Sequence, residues 1–188
     1  MSGLVLSHVS KTFGGLTAVR DVSFEVPEGA IFGVIGPNGA GKTTVFNVVT
    51  GVYPVDAGGS IRLGDRDLGA LRPAAIAAAG VARTFQNIRL FSRLSVLDNV
   101  LVATETTRTT HLLGALLRTE AFYDDESAQE KRAFELLDVF GLKDMAGELP
   151  SSLSYGNQRR LEIARAMMLK PKVLLLDEPA AGMKARGR

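Results

Sequence analysis

The sequence predicts an α/β fold with three parts: a core sheet built around a phosphate-sized glycine loop, an antiparallel N-terminal sheet, and a helical subdomain from about Arg93 to Ser152. Three observations predict it. The apolar run Ala30 to Ile35 enters Gly36-Pro37-Asn38-Gly39-Ala40-Gly41 and leaves into a segment of helix length, Lys42 to Thr50, which ends at Gly51. Leu4 to Val9 and Ala18 to Val26 alternate apolar and polar residues as half-buried strands do. Glu126 to Phe140 and Asn157 to Leu169 are long amphipathic stretches of helical period.

The elements follow in order. Pro27-Glu28-Gly29 is a turn that closes the N-terminal sheet. Ala30 to Ile35 reads as a buried strand because its apolar run is continuous. Ser60 to Leu63 is a strand closed by the Gly64-Asp65 turn, Pro73 to Ala79 a short alanine-rich helix, and Val81 to Phe85 another strand. Ser95 with Asp98 three positions on forms an acid-bearing variant of the capping box, and helical character persists to about Phe140. Pro171 stops the helix that begins at Asn157, and Lys172 to Asp177 is a buried strand. The tail Lys184-Ala185-Arg186-Gly187-Arg188 is short, basic and of disordered composition. No internal repeat is visible.

A chain of 188 residues, 46% of them hydrophobic, suffices for one domain with a sizeable core. Its 22 basic and 20 acidic residues leave a net charge of +2, too little to draw it to nucleic acid. It has no cysteine, which excludes a disulfide framework, a thiolate metal site and a cysteine nucleophile. Met1 to Val9 is a strand pattern and not a basic leader with a long apolar run, so the expectation is a chain that is not secreted. Apolar runs such as Val173 to Leu176 fall far short of the roughly 20 residues a spanning helix needs, so any membrane role is expected to be peripheral.

Three constellations carry chemistry. Gly36-Pro37-Asn38-Gly39-Ala40-Gly41-Lys42-Thr43 matches the P-loop pattern in its expected context, after a strand and before a helix. Its glycines let backbone N–H groups converge on phosphate oxygens, the helix points its positive end there, and Lys42 neutralises phosphate charge. Thr43 supplies a hydroxyl to Mg²⁺, and Thr44 is counted among the nucleotide-binding residues with the loop. Val173-Leu174-Leu175-Leu176-Asp177-Glu178-Pro179 delivers two carboxylates at the C-terminal end of a strand, where open α/β sheets bind ligands. Asp177 is the candidate metal holder and Glu178 the candidate that orients or deprotonates the attacking water. Leu153-Ser154-Tyr155-Gly156-Asn157-Gln158 gathers a serine, a glycine and free N–H groups at a helix start, a second anion site or simply a serine N-cap with a glycine turn.

With these three motifs in this order, the chain resembles the ATP-binding cassette (ABC) family of P-loop NTPases, whose signature is usually Leu-Ser-Gly-Gly-Gln. The resemblance implies that Ser154 and Gly156 contact a γ-phosphate held by another subunit's P-loop, so that two cassettes sandwich two ATP molecules. It implies that Gln86 touches Mg²⁺ and the attacking water and faces the transmembrane subunit; by itself Gln86 reads as a polar loop residue. It implies that Phe13 stacks on adenine, although a sheet-edge or core phenylalanine fits the pattern equally. Ala82-Arg83-Thr84-Phe85-Gln86-Asn87-Ile88-Arg89-Leu90-Phe91, the insertion around His111 to Tyr123, Tyr155, and Asp177 to Met183 look like the ATP-binding subunits of bacterial branched-chain amino acid importers. In such systems the membrane and binding-protein subunits choose the substrate, so no direct contact with it is expected here.

The expected organisation is a single cassette, with core residues 1–92 and 153–188 and the helical subdomain at about 93–152. The expected cofactors are ATP and Mg²⁺, the partners a second ATP-binding subunit and transmembrane permease subunits, and the location the cytoplasmic face of the bacterial membrane. After Met183 the family continues with Asp or Asn and Pro and later with a histidine that contacts the γ-phosphate. Lys184-Ala185 stands here instead, and the resemblance implies that this switch-histidine region is lacking. His8 and His111 precede Asp177 and cannot be that histidine; both read as ordinary surface or packing residues. Arg159, Arg160 and Arg165 read as a solvated face, given the nearby Glu148 and Glu162, and not as a nucleic-acid face. Two rival readings remain: a module that binds nucleotide without hydrolysing it, and a soluble cassette ATPase unconnected with transport. The compact Lys42 to Asp177 span, without coiled-coil insertion or tandem cassette, argues against the latter.

Overall fold

The computed structural model describes residues 3–84, 86–105 and 120–177. Its architecture is mixed α/β, in two compact units, Met1–Val81 and Ala82–Arg188.

The first unit contains a sheet of order β2-β1-β3-β4, from β1 (Leu4–Phe13), β2 (Leu16–Val26), β3 (Ser60–Leu63) and β4 (Arg66–Asp67). β1 pairs antiparallel with β2, from Leu4 opposite Val26 to Phe13 opposite Leu16, and with β3, from Leu4 opposite Leu63 to Ser7 opposite Ser60. The expected hairpin is therefore present and longer than its alternating segments. Leu4, Leu6 and Val9 are all buried although Leu6 and Val9 are three apart, because a register shift lies between them. His8 sits in that shift at φ +51° and faces Asp21 at φ +48° across the ladder. An extra residue of this kind re-phases a strand so that its apolar side chains return to the core face. As expected of a surface residue, His8 is exposed; its Nδ1 lies 2.7 Å from Asp21 Oδ1.

The helices of this unit are α1 (Lys42–Val49) and α2 (Pro73–Ala78), each close to the segment its sequence predicts. α1 buries Val45, Val48 and Val49, and α2 places proline in its first turn, where a missing N–H costs nothing. Gly51, at φ +71°, ends α1 where a Cβ would come within 2.7 Å of Ile76 Cδ1. Only glycine fits that corner.

One predicted strand is absent. Ala30 to Ile35 is irregular and joins neither sheet, with Ile31 103% and Ile35 93% exposed. A continuous apolar run reports a demand for cover on both faces, and among the described residues no strand hydrogen-bonds to this one. Phe32 alone finds a stacked partner, Phe24, at 4.9 Å.

The second unit is built on α3 (Val96–Glu105), α4 (Glu120–Val139) and α5 (Tyr155–Met168), with β5 (Val81–Arg83) paired to β6 (Val173–Leu175). Val96, Val100, Ala133, Leu137, Leu142, Leu153, Leu161, Ala164 and Met168 form one buried cluster. That cluster crosses Ser152, where the sequence places the end of the helical subdomain, because the apolar stripe of α5 needs the faces of α3 and α4 to cover it. The capping box forms: Asp98 N donates to Ser95 Oγ at 3.0 Å, and Ser95 Oγ donates to Asp98 Oδ2 at 2.7 Å. Asn99, fully buried, accepts from Phe91 N and donates to the carbonyls of Phe91, Leu94 and Ser95, so it ties the segment after Gln86 to α3. Phe85, His111 and the tail from Glu178 onward lie outside the described residues.

Candidate functional site

The glycine loop of the first unit is a turn in which Ala40 N donates to Pro37 O at 3.2 Å, with Gly39 and Gly41 both at φ +83°. Gly41 is the N-cap of α1, and a Cβ there would collide with the carbonyl oxygen of Ala18. The loop can therefore lie against β2 only with glycine at this position. No side chain caps α1 and no acid occupies its first turn, so its leading N–H groups and positive dipole end meet neither a cap nor a first-turn carboxylate. Gly36 through Ala40 are exposed, as is Thr43, while Lys42 and Thr44 are half-buried.

Lys42 folds back over this turn and donates to Gly36 O at 2.7 Å and Pro37 O at 2.8 Å. An ammonium has three donors, so the same contacts that brace the loop hold a cation, with one donor to spare, beside the uncapped helix start. Residues 36–44 thereby bring a cation and a helix start together, an arrangement with the chemistry to hold an anion.

Phe13 closes β1 beside the Gly14-Gly15 hairpin. Its ring is 40% exposed and meets Tyr53 edge-on, with centroids 4.9 Å apart at 77°. The core alternative for Phe13 is thus excluded, and an aromatic ring open to solvent remains. Sequence reading missed the residues that hold it. Lys11 Nζ donates to Pro54 O and to Asp56 Oδ1, both at 2.9 Å, and Thr12 N donates to Asp56 Oδ2 at 2.7 Å. These bonds fasten the segment bearing Tyr53 to the end of β1. The Lys11 hydrogen bond holds the Asp56 carboxyl below its ordinary value. No motif signals this pair, since its members lie 45 residues apart.

In the second unit Asp177 lies two residues beyond the end of β6 and is 6% exposed. Its Oδ2 accepts from Arg83 Nη2 at 2.9 Å, and its main-chain oxygen accepts from Arg159 Nη2. Arg159 in turn donates to Glu162 Oε2 at 2.7 Å, with Arg159 0% and Glu162 1% exposed. This corrects the reading of Arg159 as part of a solvated face. The two charges lie on the buried side of α5, where each is the other's counter-ion and the Asp177 carbonyl takes a remaining donor. Arg160 is exposed as expected, and Arg165 is half-buried with its guanidinium 5.5 Å from the Phe91 ring centroid.

Ser154 is the N-cap of α5: its Oγ accepts from Asn157 N at 3.3 Å. Gln158 donates to Pro150 O at 3.0 Å and Leu153 O at 3.1 Å, which fixes the approach to the cap. The first turn carries no acid, and a Cβ built on Gly156 would meet nothing within 4 Å. Among the described residues, packing therefore does not require glycine at 156. Gln86 is exposed in a bend after β5, and Glu178 lies outside the described residues. The structure brings Asp177 together with Arg83 and Arg159 inside the second unit, and residues 36–44 together inside the first.

Among the described residues no helix is long and apolar enough to cross a membrane. The ABC transporter family matches residues 19–181. The chain is 48% identical over 183 residues to the high-affinity branched-chain amino acid transport ATP-binding protein LivG of Salmonella typhimurium, covering 97% of this chain and 71% of LivG. It is 45% identical, with the same coverage, to the corresponding protein BraF of Pseudomonas aeruginosa. The crystal structure of the ADP conformation of MJ1267, an ATP-binding cassette of an ABC transporter, superposes with a TM-score of 0.81 at 32% identity, over 98% of this chain and 71% of that one. With the glycine loop, the carboxylate strand and the serine-capped helix in one sequence, these matches establish that the chain belongs to the ABC transporter family as an ATP-binding cassette.

Proposed function

We propose that this chain is the ATP-binding subunit of an importer of branched-chain amino acids, with the P-loop as its phosphate-binding element and Asp177 as a metal holder. The protein is an ABC-type ATPase by family, and the single observation that carries the site is Lys42 braced over an uncapped helix start. The importer reading rests on the similarity to LivG and BraF.

The residues fit magnesium chemically. Thr43 offers a hydroxyl, Gln86 an amide oxygen and Asp177 a carboxylate, all hard oxygen donors of the type Mg²⁺ prefers. When bound, the ion supplies charge neutralisation to the β- and γ-phosphates. Lys42 and the N–H groups of α1 hold the phosphates, and Phe13 offers its exposed face to adenine. Glu178 orients the attacking water and takes its proton, and Gln86 helps to hold that water. Ser154 and Gly156, at the acid-free start of α5, reach the γ-phosphate of a second cassette, and Gly156 is glycine so that this phosphate can approach closely. The partners are that cassette and transmembrane permease subunits, the chain sits at the cytoplasmic face of the membrane, and no residue of it touches the transported substrate.

The test is a fluorescent-ATP titration of Lys42→Ala. A hydrogen bond to a charged group contributes about 1.5–3 kcal/mol, so the variant is expected to bind about 10- to 100-fold more weakly or not measurably. Unchanged affinity would refute the P-loop as the phosphate site.

A further inference from the structure

Asp177 is not an idle carboxylate waiting for a ligand. It is buried, the side chain of Arg83 beside it is 7% exposed, and Nη2 to Oδ2 is 2.9 Å. A guanidinium is charged at every accessible pH, and a charge pair this dry interacts far more strongly than one on the surface. We propose that Arg83 is a positioning residue that serves as the resident counter-charge of Asp177, so that a divalent cation loading onto Asp177 must compete with it. The proposal rests on the reading of Asp177 as a metal holder.

Two physical consequences follow from the contact. One carboxylate oxygen is engaged and oriented by a hydrogen bond, which stabilises Asp177 in the metal-free protein and prevents a buried uncompensated anion. The same positive charge repels a second cation, which lowers the affinity of the site below what an unpaired buried carboxylate would give. Arg83 also closes β5 three positions before Gln86, and Thr84 N donates to Leu175 O at 3.0 Å in the adjoining ladder. The counter-charge is therefore mounted on the strand that leads directly into the other candidate metal ligand of this unit. Metal loading that loosens Arg83 from Asp177 acts on the root of the Gln86 segment.

The experiment measures fluorescent-ATP affinity of the full chain in EDTA and in excess Mn²⁺. The ratio of the two dissociation constants reads the metal's contribution without any turnover, and it is internal to the folded fraction. Arg83→Met is expected to raise that ratio by about tenfold, the scale set by losing one nearby cation in a partly screened site. Arg83→Gln, which still donates to Oδ2, carries the same test should the methionine variant not fold, and Arg83→Lys is expected to restore the wild-type ratio. Asp177→Asn is expected to bring the ratio close to one. A ratio in Arg83→Gln or Arg83→Met equal to or below wild type, with Asp177→Asn behaving as expected, overturns the role of Arg83 alone. A wild-type ratio in Asp177→Asn overturns the metal reading of Asp177 and this inference with it.

Discussion

Replacing Arg159 with methionine removes the cation that Glu162 and the Asp177 carbonyl share, without removing much volume from α5. Glu162 then remains as a buried carboxylate whose 2.7 Å partner is gone. Breaking a buried pair from one side costs about 3–5 kcal/mol, because the desolvation of the remaining charge is no longer offset. Arg165 moderates the loss. Burial lowers its pKa while Glu162 raises it, so the two side chains already attract, and part of Glu162's charge stays compensated. The expected destabilisation is therefore near the lower end, about 3 kcal/mol, which for a chain of this length corresponds to a fall in Tm of roughly 6–12 °C. Calorimetry or urea denaturation followed by circular dichroism measures it. The double variant Arg159→Met/Glu162→Leu discriminates the cause: with both charges gone, stability is expected to return to within about 1 kcal/mol of wild type or to exceed it. If the single variant loses less than about 1 kcal/mol, or the double variant is as unstable as the single one, the pair is not the buried, mutually dependent unit described above.

Three further outcomes are expected. Ser154→Arg leaves fluorescent-ATP binding by the single chain within twofold but blocks ATP-driven dimerisation in light scattering, whereas Ser154→Ala, which loses only an N-cap of about 1 kcal/mol, still dimerises; equal dimerisation by the arginine variant refutes the action of the signature across the interface. Phe13→Ala weakens ATP by roughly tenfold and leaves inorganic triphosphate unaffected, since a stacked base contributes about 1–3 kcal/mol and the phosphates none of it; equal losses for both ligands would show that the ring only supports the fold. Because the carboxyl of Asp56 is held below its ordinary value by Lys11, its contribution to stability is full above the unfolded-state value and is lost as pH falls through the depressed one. The acid side of the wild-type stability profile should therefore fall more steeply than that of Asp56→Asn, and parallel profiles in acid denaturation would remove the role of the pair.

The elements legible in the sequence are those specified by neighbours along the chain. The hairpin of β1 and β2, the capping box of Ser95 and Asp98, the proline start of α2 and the glycine end of α1 each depend on residues a few positions apart. The glycine loop was legible for the same reason: the left-handed glycines, the lysine and the helix that follows are consecutive. Ala30 to Ile35 shows where such reading ends. Its composition states that both faces want cover, but which strand covers them is a property of residues far away in sequence, and the run alone cannot name one.

The charges of α5 show the same limit from the other side. Arg159, Glu162 and Ala166 lie on one helical stripe, beside that of Leu161, Ala164 and Met168, and both stripes are buried. A charged pair at that spacing is as common on solvated faces as anywhere, so period alone assigned it to water. What reverses the assignment is a third group, the main-chain oxygen of Asp177, which Arg159 reaches across 18 positions. Asp177 thus receives one guanidinium on its carbonyl from the helix that starts at Ser154 and another on its carboxylate from the strand that leads to Gln86. Two of the three motifs legible in the sequence are joined through Arg159, which belongs to neither and whose several donors reach the Glu162 carboxylate and the Asp177 carbonyl at once.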